Sequence, residues 1–245
     1  MVFVQGGTFT MGSPVEESIQ NNERPQHQVT LTAFYIGKYE LTQSQYQTVM
    51  GSLPSQLDSE SNTNGKGNNY PVYFIDWYDA IEFCNKLSVL EGLTPCYTVN
   101  KEQIDPDNTS DYDTLKWLVT LNTTANGYRL PTESQWEYAA KGGNKGETFT
   151  YAGSDTADDV AWYNSNGGRT TKEAGTKTPN GLGLYDMSGN VNEWCWDWFG
   201  SYQNETQTNP TGASSGSMRM LRGGNWDDSA DNIRSAQRSS DYPSP

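Results

Sequence analysis

The chain has 245 residues, with 16 Lys and Arg against 30 Asp and Glu, for a net charge of −14 at neutral pH. That charge repels phosphate backbones and excludes general nucleic-acid binding, and no run reaches the ~20 apolar residues of a membrane span. Leu, Ile, Val and Phe number only 38, about 16%, below the roughly 20% at which a highly charged chain is suspected of disorder. The 8 Trp, 15 Tyr and 24 Gly point the other way, to an aromatic core joined by many turns.

The first ten residues after Met1, VFVQGGTFTM, alternate around Gly6-Gly7 and read as a hairpin-like strand pair. His27 to Ile36 alternates again, with Val29, Leu31 and Ala33 on one face and His27 expected at the surface. Thr42 and Gln45 form a capping box for a helix running to Met50 and stopping at Gly51. Residues 52–70 read as loop. A second helix follows Asp76, with Ala80, Ile81, Cys84 and Leu87 at helical spacing and Gly92 at its end. Tyr97–Val99 and Leu115–Leu121 read as a hairpin around a polar DPDNTSD turn. Thr132 and Gln135 form another capping box, opening a helix whose apolar face is Trp136, Ala139 and Ala140. Short strands and loops follow, with no linker and no 20–50 residue repeat, so one domain over 1–245 is expected. Trp194, Trp196 and Trp198 alternate as strand residues and are expected to serve the core, with Trp226 as a structural anchor.

These elements carry motifs that resemble one family. FVQGGTFTMGS, YIGKYELTQSQY, WYDAIEFCNKLS, GYRLPTESQWEYAAKGG, PNGLGLYDMSGNVNEW and RMLRGGNW span nearly the whole chain. They resemble the formylglycine-generating-enzyme (sulfatase-modifying factor) family. The resemblance implies an α+β, C-type lectin-like fold, loop-rich, with few short helices and strands. It also implies a terminal Gly-Phe-Arg strand, which is not found before Pro245.

Enzyme members of that family oxidise a substrate cysteine with a copper-binding cysteine pair shortly after the RGG-S-aromatic motif. The matching stretch here, RGGNWDDSADNIRSAQR at 222–238, contains no cysteine. Asp, Ser and Asn are hard donors, whereas cuprous ion needs soft thiolates. The three cysteines, Cys84, Cys96 and Cys195, cannot all pair with one another, and none lies in this stretch. No copper and no oxidase activity are therefore expected. One histidine, His27, cannot supply the three-histidine iron centre of the sulfoxide synthase branch.

Of the 18 residues from 227 to 244, 11 are Asp, Ser, Asn or Tyr, interleaved with Ala230, Arg234, Ala236, Arg238 and Pro243. This resembles the C-terminal variable region of bacterial proteins diversified by a retroelement, in which adenine-rich codons are rewritten while framework codons stay fixed. The resemblance makes 225–245 the variable region and assigns ligand binding to Asp227, Asp228, Ser229, Asp231, Asn232, Ser239, Ser240, Asp241, Tyr242 and Ser244. A polar, mobile tail is the competing reading of the same composition.

Asp186 and Glu193 flank a Ser-Gly-Asn turn that is able to wrap a hard cation, since calcium takes 6–8 oxygens in irregular geometry. The family resemblance implies a structural calcium held by the side chains of Asp186 and Glu193 and the carbonyls of Gly189 and Val191, with Asn164 as a weaker match to a second site. The competing reading has Asp186 capping the turn and Glu193 in solvent.

The expected function is non-enzymatic binding of an unknown ligand, expected to be a protein, with no nucleic acid and no membrane span. A bacterial cell-surface or extracellular location is expected, with any leader or lipid anchor outside this numbering. An oxidase-family enzyme and a degenerate accessory domain are the alternatives.

Overall fold

The computed structural model describes residues 1–16, 21–59 and 63–244. Residues 60–62 of the expected loop and Pro245 of the C-terminal region lie outside these. Among the described residues no helix is long and apolar enough to cross a membrane.

Strands β1 (Val2–Val4) and β2 (Gly7–Met11) do not pair with each other, which corrects the expected hairpin. β1 runs antiparallel to β4 (Phe34–Ile36), and β2 runs antiparallel to β3 (His27–Leu31). The reason is visible at Gly6. A Cβ there would stand 2.5 Å from the Leu31 carbonyl oxygen, so the chain crosses the β3–β4 connection at close range instead of folding back. His27 is buried, edge-on to the Tyr202 ring with centroids 4.8 Å apart, and not at the surface.

The helix-start signals hold. Helix α1 (Gln43–Met50) has both bonds of the Thr42–Gln45 capping box, and Gly51 ends it at φ 93°. A short helix α2 (Ser55–Asp58) interrupts the expected loop, with Leu57 fully buried. Helix α3 (Trp77–Leu90) starts at Asp76, which exchanges capping bonds with Asp79. Helix α4 (Glu133–Ala140) is capped by Thr132 and Gln135, and every one of its residues is buried. A polar sequence can be buried on all sides only if its charges are paired, and Glu133 and Glu137 are.

Strands β5 (Tyr97–Ile104) and β6 (Trp117–Leu121) pair antiparallel as expected, with an irregularity after Asn100. A one-turn helix α5 (Ala157–Val160) precedes the last strands. These are β7 (Glu193–Trp198), β8 (Gln207–Thr208), β9 (Arg219–Arg222) and β10 (Ser239–Asp241). β8 adds in parallel to β3, while β10, β9 and β7 form a sheet in that order. The tryptophans of β7 serve the interior. Trp196 stacks on Tyr97 at 5.3 Å, Trp194 donates to the Ile75 carbonyl, and Arg219 lies against the Trp198 and Trp77 rings at 3.4 and 3.9 Å. One apolar cluster gathers Val4, Trp136, Leu184 and Met220; another gathers Trp77, Ile81, Tyr97 and Val119. The C-terminal segment passes beside both.

Candidate functional site

Three arginines fix the C-terminal segment to the body of the fold. Arg222, fully buried, donates to Glu137 at 2.5 Å. Arg234 donates through both terminal nitrogens to Glu23, at 3.0 and 2.6 Å. Arg238 donates to both oxygens of Glu133, at 2.5 and 2.8 Å. Burial alone would raise the Glu137 carboxyl, but Lys141 and Arg222 outweigh it and hold the group at about 2. Ile233 and Ala236 fill the space between the clamps. Gly224, at φ 71°, is required because a Cβ would stand 2.5 Å from the Asn232 carbonyl oxygen. The segment is therefore seated from 222 to 238 by buried ion pairs.

The ten residues expected to bind ligand do not form one uniform patch. Asp227, Asp231 and Asp241 are exposed, and Ser229, Asn232, Ser239 and Tyr242 are half-buried. Asp228 turns inward, its Oδ2 accepting from the Asn225 amide at 2.9 Å and its carbonyl accepting from the Asn164 amide. Ser240 follows Met220 on the opposite face of β10 from Ser239 and Asp241 and sits against the Met218 sulfur. Ser244 is buried beside Thr114, with its hydroxyl 3.4 Å from that of Thr114. Ser244 is thus packed, whereas Ser240 is half-buried like Ser239. Tyr242 pairs with Tyr112 of the β5–β6 connection, ring centroids 4.9 Å apart.

Asp227 and Asp241, from the two ends of the segment, border the same groove of about 1430 Å³. Leu221 and Trp194 lie in its wall, facing one another across β9 and β7. Trp226 also lines it, and its backbone amide is held by the Asn190 carbonyl at 2.9 Å. The anchor expected from the sequence is therefore also a groove residue. Residues that the sequence did not single out complete the groove, among them Tyr39, Phe74 and Glu173.

Beside the groove lies the acidic turn. Asp186 is buried at φ 57°, its Oδ2 accepting from the Gly175 amide at 2.6 Å, whereas its Oδ1 has no hydrogen-bond partner among the described residues. Burial pushes its carboxyl up to about 6. Glu193 accepts from Trp136 Nε1 at 2.8 Å, and burial, reinforced by the Asp186 charge, pushes it up to about 7. The sequence missed Glu40. Its carboxylate accepts from Asn190 Nδ2 at 2.6 Å and from the Val191 amide at 3.0 Å, and burial followed by the charges of Asp186 and Glu193 raises it well above the usual range. Among the described residues no three His, Cys, Asp or Glu side chains converge on one metal position. The expected set has two carboxylates and two carbonyls, and the unpaired Asp186 oxygen is the kind of buried acceptor that a hard cation satisfies. Asn164 is exposed and accepts from the Ser165 hydroxyl.

Cys84, Cys96 and Cys195 are all free and buried. Burial raises each thiol, that of Cys84 to about 12 and that of Cys195 well above its ordinary value. Thiols so placed stay protonated and unreactive at neutral pH.

The family described as "Sulfatase-modifying factor enzyme 1-like domain" matches residues 1–245. A Paenibacillus barcinonensis protein named chaperone protein LppX is 44% identical over 243 residues, which cover 92% of this chain and 78% of that protein. A Streptomyces coelicolor protein named formylglycine-generating enzyme is 37% identical over 266 residues, covering 99% and 84%. The solved structure of Treponema denticola variable protein 1 superposes with a TM-score of 0.83 at 37% identity, covering 99% of this chain and 89% of that one. The small mixed sheets and few short helices form a C-type lectin-like fold. The chain belongs to the sulfatase-modifying factor enzyme 1-like domain family.

Proposed function

We propose that the chain is a non-enzymatic binding protein that presents residues of 227–242 to a protein partner. The observation that carries this is the division of labour within one segment. Arg234, Ile233, Ala236 and Arg238 are buried and clamped, while Asp227, Asp231 and Asp241 stay exposed before and after them. Side chains in the second group can change without disturbing the first, as a paratope on a rigid scaffold requires. Likeness to a variable protein supports this reading. So does the chaperone name of the Paenibacillus relative, since a chaperone also works by binding protein.

Relatives named as formylglycine-generating enzymes favour an oxidase as the second reading. Against it, the stretch 222–238 has no cysteine and the three thiols elsewhere are buried. A degenerate accessory domain remains the third.

Sequencing the gene from several isolates tests the first reading. Changes concentrated within 227–244 and at adenines support it, and changes spread evenly along the gene sink it. Oxygen consumption with copper and a cysteine peptide would restore the oxidase.

Two further assignments belong to this reading. A structural calcium is held by the side chains of Asp186 and Glu193 and the carbonyls of Gly189 and Val191, where it neutralises buried carboxylates. The protein works on the bacterial cell surface or outside the cell, where exchangeable partners are met.

A further inference from the structure

The groove is also lined by residues outside the variable segment, and their chemistry is particular. Phe74 stands at φ 60° with half its surface exposed. A bulky side chain in the left-handed region is strained, and an exposed aromatic in that state is displayed where a ligand can reach it. Tyr39, 46% exposed, lines the same groove. Exposed carboxylates border it from both ends of the C-terminal segment, Asp227 and Asp241, and from two other parts of the chain, Glu91 and Glu173. Two cationic side chains also line it, and both are engaged. Lys38 lies over the Tyr39 and Tyr185 rings at 5.1 and 5.5 Å, and Arg129 donates to Gln135 and to the Leu130 carbonyl. Among the described residues Asp227 pairs with Arg169, whose side chain is 79% exposed, so an incoming guanidinium can replace it.

We propose that this groove receives a Lys- or Arg-bearing segment of a protein partner, with Phe74 as a fixed contact outside the variable residues. The proposal rests on the binding-face reading above and names the class of occupant. Carboxylates and aromatic faces together select cations, through ion pairs and cation–π contacts. A second copy of this chain is disfavoured by its own −14 charge, as are anionic surfaces. The groove, at about 1430 Å³, exceeds the roughly 300–1,000 Å³ that suits a small molecule and matches a stretch of chain instead.

Fluorescence anisotropy of the purified chain with three synthetic peptide sets, Lys/Arg-bearing, uncharged and Glu-bearing, tests the proposal, with spermine as a small-cation control. The basic set should bind best, and increasingly weakly as salt rises. The double substitution Asp227→Asn with Asp241→Asn, and separately Phe74→Ala, should each weaken that binding by roughly tenfold with the thermal midpoint unchanged. Basic peptides held no better than uncharged ones overturn the proposal. So do indifference to both variants, binding of spermine alone, or self-association in place of peptide binding. If uncharged or acidic peptides are held in a way that the Asp227 and Asp241 changes alter, the binding face stands and the basic occupant falls. Evenly spread changes among isolates would instead remove the variable-surface reading, whichever peptides bind.

Discussion

Arg238 and Glu133 meet fork to fork across 105 positions of sequence, Nε 2.5 Å from Oε1 and Nη2 2.8 Å from Oε2, with both side chains buried. The pair joins the last strand's approach to the first turn of α4. Breaking such a pair leaves the buried Glu133 carboxylate with the longer ion pair to Arg222, at 3.5 Å, and removing one partner of a buried pair costs about 3–5 kcal/mol. Arg238→Ala should therefore lower stability by that amount in urea unfolding. Arg238→Lys should recover little of it, because an ammonium cannot reproduce the two-pronged contact.

The contact between Arg169 and Asp227 is the surface counterpart. Both side chains are largely open to water, at 79% and 46%, so Arg169→Ala should cost no more than about 1 kcal/mol. An Arg169→Ala loss as large as that of Arg238→Ala would contradict the division between clamp and display.

A scan of the segment should split in two. Asp231→Ala and Asp241→Ala should stay within about 0.5 kcal/mol of the parent, as exposed positions do. Ser244→Leu should cost more than 1 kcal/mol, because the buried hydroxyl sits in a packed site beside Thr114 and the added volume must be accommodated. Equal tolerance at Asp241 and Ser244 would show that the end of the segment is not seated as described.

Stability should depend on pH with two opposite slopes. Glu137 sits at about 2 against an ordinary 4.5, so its contribution is present above 4.5 and is lost as pH falls towards 2. Asp197 behaves the other way. Burial, then the Glu133 charge, raises it from 3.8 to about 7, so its contribution is present below about 4 and is lost as pH rises to 7. Asp197→Asn keeps an acceptor for the Glu133 amide, which Asp197 Oδ2 now meets at 2.9 Å. Unfolding at pH 5 and pH 8 should show the variant losing roughly 2–4 kcal/mol less than the parent over that interval. Parallel losses in the two proteins would refute this.

Calcium should raise the thermal midpoint and a chelator should lower it, because a ligand that binds only the folded state stabilises it by mass action. Glu193→Gln should abolish the calcium response. A calcium response of full size in that variant would place the ion elsewhere.

Local signals in the sequence carried much of this structure. Thr42–Gln45, Asp76 and Thr132–Gln135 each start a helix where expected, because a cap is made by residues within four positions of each other. Pairing between distant strands was not legible. Gly6-Gly7 looks like a turn, but β2 takes its partner from a strand that begins at His27, and the close approach at Gly6 depends on that choice. The same limit applies to the site. Arg234 and Arg238 stood out as framework, but their partners Glu23 and Glu133 lie more than 100 positions upstream. Ser240 and Asp241 are neighbours of like polarity, and only the pairing of β10 with β9 places them on opposite faces of the strand. Phe74 left no trace, because nothing in its residue type announces a positive φ.

Glu23, Glu133 and Glu137 all precede their arginines along the chain. During synthesis the acceptors of all three clamps emerge first and wait, as buried-to-be anions, for Arg222, Arg234 and Arg238. The carboxylates of α4 gain their buried arginine partners only when the segment from 222 to 238 has docked. A change that kept this segment from docking would leave those carboxylates without these partners, so the closing of the scaffold around α4 depends on the seating of its C-terminal segment.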